Sequence, residues 1–526
     1  MTRVLARAAG RERLDGEARA GQVPRGRPPG MLPGPADTSL PTGFAVQLAP
    51  GVQRSRDGRL MLGGSPSRLL RLNPAAARLL RPGCFAVTDR ASAALARRLV
   101  DIGIAHPRPP ACPVRDVTIV IPVKDRAAAL DRLLARLRAD PDSAQLPVLV
   151  VDDGSADPAA VAAVVEAHGA VLLVHSDNRG PAAARNTGIR RARTSFLAFC
   201  DSDVLPGPGW LGPLLDQFAD PAVALAAPRV LTGGGAPRWL DRYEHVRSPL
   251  DMGDKEALII PLSPLAYVPG AALVVRKAAI GDGFAPELRV AEDVDLCLRL
   301  HHAGWRLRYV PTAWVTHQPR SHLGSWLAQR VSYGTGAADL ALRHPGLVPP
   351  LYAAPWSVAA WVLLLRGRPV PAALAAVLAA RAAARLAGAM PDADTPVRTA
   401  TLLTLAALRA TGEQLIRCVV RDYWPLAIVA AVLSGSARRA VIAGSVLDGI
   451  LDQRRCGRPQ SLLAHLLLRR LDDIAYGTGL WAGAIRSRSV AHLLPRFAAR
   501  TARAASGPVP GPGTVQPGQS AGGPGG

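Results

Sequence analysis

The chain has 526 residues, 49% of them hydrophobic, enough to bury one large core or two to three ordinary ones, which excludes a wholly disordered protein. The net charge of +23 would ordinarily point to a phosphate-rich partner. However, lysine occurs only at Lys124, Lys255 and Lys277, the remaining positive side chains are arginine, and Ala, Arg, Gly and Pro dominate as in a GC-rich coding bias. Aromatic residues make up 4%, too few for basic patches interleaved with stacking rings, so no nucleic-acid partner is expected. The cysteines at 84, 112, 200, 297, 418 and 456 form no CxxC or metal-ligand spacing and fit free thiols in a reducing cytoplasm.

Residues 1–39 are rich in Arg, Gly and Pro, carry charges every few residues and lack an apolar h-region, and read as a disordered tail without a signal peptide. Residues 40–112, with alternating apolar positions, a DG turn and then apolar residues at helical spacing, read as a small α+β module. In 113–345 the runs VTIVIPV, PVLVVDD, AVLLVHS and SFLAFCD are apolar strands separated by helical connections, the pattern of a mostly parallel, doubly wound α/β sheet. After the first of them, Leu130, Leu133, Leu134 and Leu137 fall at i, i+3, i+4, i+7, one face of a helix lying on that sheet. Residues 346–504 are helical and rich in Ala, Leu and Arg. Their uncharged runs Leu351 to Leu365 and Trp424 to Ala437 fall short of the ~20 residues that span hydrocarbon. Two alternatives stand for this zone: a buried helical appendage, or a surface-lying membrane attachment at the inner face of the membrane, with Arg366, Arg368, Arg381, Arg385, Arg438 and Arg439, which interrupt or flank the apolar runs, reaching acidic headgroups. Residues 505–526 form a Gly/Pro tail, expected to be disordered.

Ligands of open α/β sheets bind outside the carboxyl ends of the strands. Here IVIPVKDR ends in Asp125, VLVVDDGS in Asp152 and Asp153, and FLAFCDSD in Asp201 and Asp203. Carboxylates so clustered repel one another unless a cation answers them, and Mg²⁺ or Mn²⁺ takes one or two carboxylates and completes its shell with substrate phosphates. On an extended backbone Asp201 and Asp203 would point the same way. The structural alternative is a turn or helix cap ahead of PGPGW.

The motifs VTIVIPVKDR, VLVVDDGSADP, NRGPAAARNTGIRRA, FLAFCDSDV, PGAALVVRKAAI and AEDVDLCLRLHHAGWRLRYVP stand in the order found in inverting family 2 glycosyltransferases, and the sequence resembles that family over roughly residues 116–335. The resemblance implies a GT-A fold, a metal held at the DxD motif, and transfer from a nucleotide diphosphate sugar to a hydroxyl. It makes Pro122, Asp125, Asp153, Arg185, Asp201 and Asp203 parts of the nucleotide-sugar pocket, with Asp203 and His317 toward the metal. Asp293 becomes the base that takes the acceptor's proton, with Glu292 beside it; the alternative is that both acids only favour a helix N-terminus. Tyr267, Gly270 and Ala271 would lie on the acceptor side. Trp305 would either stack on a sugar there or fill the core, and Arg330 would assist the diphosphate. The segment Gln329-Arg330-Val-Ser-Tyr333 departs from the QxxRW signature of processive synthases, which speaks against a cellulose-synthase-type export machine.

The whole architecture, N-terminal module, transferase motifs and Ala/Arg-rich helical tail, is similar to the glycosyltransferases of the mycofactocin system. That likeness implies UDP-glucose as donor, and as acceptor the small peptide-derived redox cofactor or its precursor premycofactocin, extended by β-1,4-linked glucose. A rhamnosyl or galactosyl transferase of the cell envelope shares every catalytic motif. An inactive nucleotide-sugar-binding scaffold is disfavoured by the intact DSD, DDGS and acidic pair, and a nucleotidyltransferase by the absence of a glycine-rich loop in IVIPVKDRAAAL.

Overall fold

The computed structural model describes residues 32, 34–111, 116–233, 239–318, 322–457 and 460–498. The expected tails, apart from 32 and 34–39, and Cys112 lie outside the described residues.

The N-terminal module comprises β1 (Ala45–Leu48), β2 (Gln53–Arg54), β3 (Leu60–Gly63), β4 (Arg68–Arg71), α1 (Pro74–Leu79), β5 (Cys84–Ala86), α2 (Arg90–Asp101) and β6 (Ala105–Arg108). Its strands form two antiparallel sheets, β5-β1-β6 and β2-β3-β4, around Phe44, Met61, Leu70, Leu95 and Leu99. A capping box starts α2: Asp89 accepts from the Ser92 amide at 2.7 Å while the Ser92 hydroxyl accepts from the Asp89 amide at 3.0 Å. The module is tied to the transferase sheet by two arginine forks, Arg97 on Asp220 (2.8 and 2.6 Å) and Arg306 on Asp101 (3.0 and 2.8 Å).

The transferase region runs β7 (Val117–Val123), α3 (Ala127–Ala139), β8 (Val148–Asp153), α4 (Pro158–Ala167), β9 (Val171–His175), α5 (Pro181–Arg191), β10 (Phe196–Cys200) and β11 (Val204–Pro206). It continues with α6 (Leu211–Asp216), β12 (Val223–Thr232), α7 (Trp239–Arg247), β13 (Ala257–Leu258), β14 (Ala272–Arg276), α8 (Glu292–His302), β15 (Arg306–His317) and α9 (Leu323–Arg343). One sheet, in the order β11-β15-β12-β14-β10-β7-β8-β9 with β13 on β15, organises it. The four strands read from the sequence pair in parallel, β10-β7-β8-β9, while β14 runs antiparallel to both β10 and β12 and makes the sheet mixed. Alternation along β7 separates two cores: Ile119 and Ile121 face α3 with its four leucines, and Val120 faces Ile189 of α5 and Leu296 of α8. Helices on both faces of this sheet give the GT-A-like fold.

Beyond α9 come a short β16 (Tyr352–Ala353), α10 (Pro355–Leu364), α11 (Pro369–Gly388), α12 (Pro396–Arg417), a π-helical turn (Cys418–Asp422), α13 (Trp424–Leu433), α14 (Gly435–Arg455), α15 (Leu462–Ser487) and β17 (Arg496–Phe497). The zone is divided between the two expectations: α15 is packed, with His465, Leu468, Asp473 and Leu480 among its buried residues, whereas no residue of α13 is buried, and of α11 only Ala375. Helices α10 and α13 are ten residues each, too short to span a bilayer. By contrast α11, twenty residues despite Arg381 and Arg385, is long and apolar enough to cross one.

Candidate active site

The site forms where β7, β8 and β10 end. After β7 the chain turns through Asp125, held at φ 55°; its amide donates to Ser155 Oγ at 2.9 Å and its carboxylate accepts from the Ala156 amide at 2.7 Å. The first loop is thereby latched to the second. Gly154, at φ 73°, is required in that second loop, since a Cβ there would lie 2.8 Å from the Asn178 amide nitrogen. Asp153 is buried and fully engaged, accepting from the amides of Arg179 (2.9 Å) and Gly180 (2.7 Å) at the start of α5 and contacting His175 Nδ1 at 2.8 Å. Its carboxylate is thus engaged in shaping the entry to α5. Pro122 lies in β7, one residue short of the strand end and half-buried.

The DSD segment does not follow the extended-strand expectation. Strand β10 stops at Cys200, and Asp201 to Val204 form a turn in which the Val204 amide donates to the Asp201 carbonyl at 3.2 Å. The turn sends the two carboxylates to different partners. Asp201 accepts from Arg185 Nη2 at 2.7 Å, and Arg185, almost wholly buried, also donates to Glu292 Oε1 at 2.6 Å. Burial, together with the charges of Asp203 and Glu292, holds the Asp201 carboxyl above its ordinary range in spite of Arg185. Asp203 pairs with Arg126 and stands 3.5 Å from His317 Nε2. Burial works to raise its pKa, but the His317 contact and the charges of His317 and Arg126 outweigh it and hold the group at about 2.

Among the described residues no three His, Cys, Asp or Glu side chains could together hold a metal ion. Asp203 with His317 fits a Mg²⁺ or Mn²⁺ ion that draws most of its shell from substrate phosphates, and does not fit an all-protein cage. Arg126, the last residue of the KDR triplet after β7, was missed in the sequence; its place directly beyond a strand end beside Asp125 was the available signal.

The acidic pair opens α8. Ala291 precedes it in the left-handed region at φ 67°, which turns Glu292 toward Arg185 and Asp293 toward Gly270, whose amide donates to Asp293 Oδ2 at 2.6 Å. A Cβ at Gly270 would stand 3.2 Å from Asp293 Cβ, so glycine permits this approach. Burial and the neighbouring Glu292 charge push the Asp293 carboxyl up to about 7, against the pull of the Gly270 amide and Arg185. The third acid, Asp295, is wholly buried and anchors α8 through Arg299 (2.7 Å), Arg343 (2.8 Å) and His344 (2.9 Å). One helix start therefore holds a structural carboxylate, an arginine-bound one, and one titrating near neutrality.

Of the residues expected on the acceptor side, Tyr267 is 39% exposed. Ala271 is buried just before β14, and its carbonyl accepts from the Asp201 amide at 2.9 Å. Trp305 belongs to the core between the sheet and α8, so the stacking alternative falls. Arg330 also departs from expectation: it is 2% exposed, paired with Glu244 of α7 and with Asp472 of α15 at 2.8 Å, and lies over the Trp326 ring. It fastens helices together, because two acids distant in sequence converge on it.

The family model Glycosyl transferase family 2 matches residues 118–281. The chain is 46% identical over 471 residues to pre-mycofactocin glycosyltransferase of Mycobacterium tuberculosis, an alignment covering 88% of this chain and 99% of that protein. It is 31% identical over 214 residues to succinoglycan biosynthesis protein ExoU of Rhizobium meliloti, covering 37% of this chain and 59% of that one. A solved structure, mannosyltransferase PcManGT from Pyrobaculum calidifontis in complex with GDP-Man and Mn²⁺, aligns at 18% identity and TM-score 0.38, covering 68% of this chain and 87% of that one.

Proposed function

The chain belongs to family 2 of the glycosyltransferases, and from that premise we propose that it transfers glucose from UDP-glucose to premycofactocin with inversion, building a β-1,4-glucan on this peptide-derived acceptor. The acceptor is suggested by the near full-length relative, whose name carries it. Asp293 carries the mechanism: a carboxylate titrating near neutrality, oriented by the Gly270 amide, suits a general base at working pH. Asp293 takes the proton of the acceptor hydroxyl as its oxygen bonds to the sugar's anomeric carbon. The bond from that carbon to the diphosphate breaks on the opposite face, and its electron pair leaves with UDP. Glu292 and Asp201, fixed through Arg185, keep that edge rigid while the donor binds. Asp203 and His317 would hold Mg²⁺ or Mn²⁺ together with the donor's phosphates, and the bound ion supplies positive charge to the leaving diphosphate.

The place of action in this proposal is the inner face of the cell membrane, supported by the bare apolar side chains of α10, α11 and α13.

The test is a mass-spectrometric transfer assay with purified protein, Mg²⁺ or Mn²⁺, a panel of nucleotide sugars, and premycofactocin beside a simple glycan acceptor. Hexose additions to premycofactocin with UDP-glucose are expected. Transfer to the glycan alone would move the protein into envelope polysaccharide or glycolipid synthesis and overturn the acceptor assignment.

A further inference from the structure

The tetrapeptide Tyr-Gly-Thr-Gly occurs twice, at Tyr333–Gly336 in α9 and at Tyr476–Gly479 in α15. The two copies meet. Contacts advance together along the helices, Arg330 with Asp472, Gly334 with Gly479 and Asp339 with Arg486, so α9 and α15 run in the same direction. A Cβ on Gly334 would lie 2.2 Å from the Tyr476 carbonyl oxygen, and one on Gly479 would lie 2.0 Å from that of Val331. Only glycine at both positions allows backbones this close. The other two glycines extend the chain of close approaches at either end. A Cβ on Gly336 would meet Ala291 Cβ, just before the catalytic pair, at 3.1 Å, and one on Gly477 would meet the Arg421 carbonyl of the π-helical turn at 2.0 Å.

The crossing brings side chains from the C-terminal helices to the edge of the active site. The Tyr267 hydroxyl lies within electrostatic reach of Tyr476, Asp293, Arg421 and Tyr333. Arg421 lies over the Tyr476 ring at 4.8 Å, keeps 31% of its side chain accessible, and has its charge answered by Asp422 at 2.8 Å. Tyr333 accepts from Gln329 Nε2 at 2.7 Å. Tyr267 itself keeps 39% of its surface exposed at this edge. π-helical turns such as the one carrying Arg421 recur at functional sites.

We propose that Tyr267, Tyr333, Tyr476 and Arg421 form the acceptor subsite, and that it takes an uncharged, ring-bearing molecule whose hydroxyl is presented to Asp293. Flat phenol faces and a guanidinium already neutralised by Asp422 suit a neutral ring, aromatic or sugar, and give no reason to select an anion. The helical region beyond α9 is then part of the active site. This rests on Asp293 as the base, and its test separates the two claims.

Acceptor and donor KM are measured for the full chain, with donor hydrolysis in the absence of acceptor as the second readout. Premycofactocin and its monoglucosylated product serve as separate acceptor probes; a hydroxyl acceptor found active in the transfer panel replaces them if neither is used. Tyr476→Ala and Arg421→Ala should each raise acceptor KM by about tenfold or more with donor KM and hydrolysis within about twofold of the parent. Tyr267→Ala, a change at an exposed side chain, should do the same and decides the matter if the helix variants fail to fold. Unchanged acceptor KM in the folded variants, with Asp293→Asn inactive, would overturn the subsite and leave the base in place; full activity of Asp293→Asn would remove the base assignment itself.

Discussion

Helix α3, amphipathic, and helix α13, apolar, are both short, and the surroundings of their apolar side chains are opposite. The four leucines of α3 are wholly buried against the sheet. In α13 nothing is buried, and it ends in Val432 and Leu433 at 75% and 81% exposure. Helix α10 repeats the pattern: it runs out at Leu365, 72% exposed, just before Arg366 and Arg368, as α13 runs out just before Arg438 and Arg439. Apolar surface costs about 25 cal/mol per Å² when left in water. The sheet covers that surface in one region, and in the other no element among the described residues does. The proposed membrane attachment rests on this pattern, an apolar tip followed by an arginine pair, which would suit hydrocarbon beneath anionic headgroups.

The comparison can be broken or sharpened experimentally. The largest effect belongs to the sheet side: Asp293→Asn should lower kcat by about 10²- to 10⁴-fold while donor binding persists, and near-parental kcat would end its role as base. Next, Asp203→Ala should weaken donor binding by about 10- to 100-fold in the presence of Mg²⁺ or Mn²⁺, measured by calorimetry with UDP. Identical donor affinity with and without a chelator in the parent protein would remove the metal from the site.

The third prediction concerns pH. Asp293 must be deprotonated to act, so kcat/KM should fall about tenfold per pH unit below about 7. Its carboxyl is raised above the ordinary value, so between 3.8 and about 7 the native state binds more protons than the unfolded state and stability falls as pH rises through that window. Asp293→Asn should therefore flatten the dependence of Tm on pH there, and an unchanged profile would contradict the shifted group.

The smallest effect falls on the helical side. The parent protein should sediment with anionic lipid vesicles. The double variant Leu365→Glu, Leu433→Glu should lose most of that binding, with transfer to a soluble acceptor unchanged. A parent that ignores anionic vesicles would leave the bare apolar tips without a lipid partner.

Strand and helix identity in the transferase region was legible because it follows from local periodicity: the runs that became β7 to β10, and the leucine face of α3, need only neighbours in sequence. The acidic pair at the α8 start was legible through motif order and spacing. The turn after Cys200, however, sends Asp201 to Arg185, and no local pattern announces that ion pair. Arg330 and Trp305 have residue types suited to a site, and were drawn into packing by partners on α7, α15 and the sheet. The repeated Tyr-Gly-Thr-Gly was visible as letters, but its meaning required the crossing of α9 and α15. Fold class and the placing of carboxylates at the strand ends were thus determined by the sequence alone, since periodicity and strand-end position act over a few residues. Which charges are neutralised, and which apolar faces stay bare, only the tertiary structure decided, because both depend on groups brought together from distant parts of the chain.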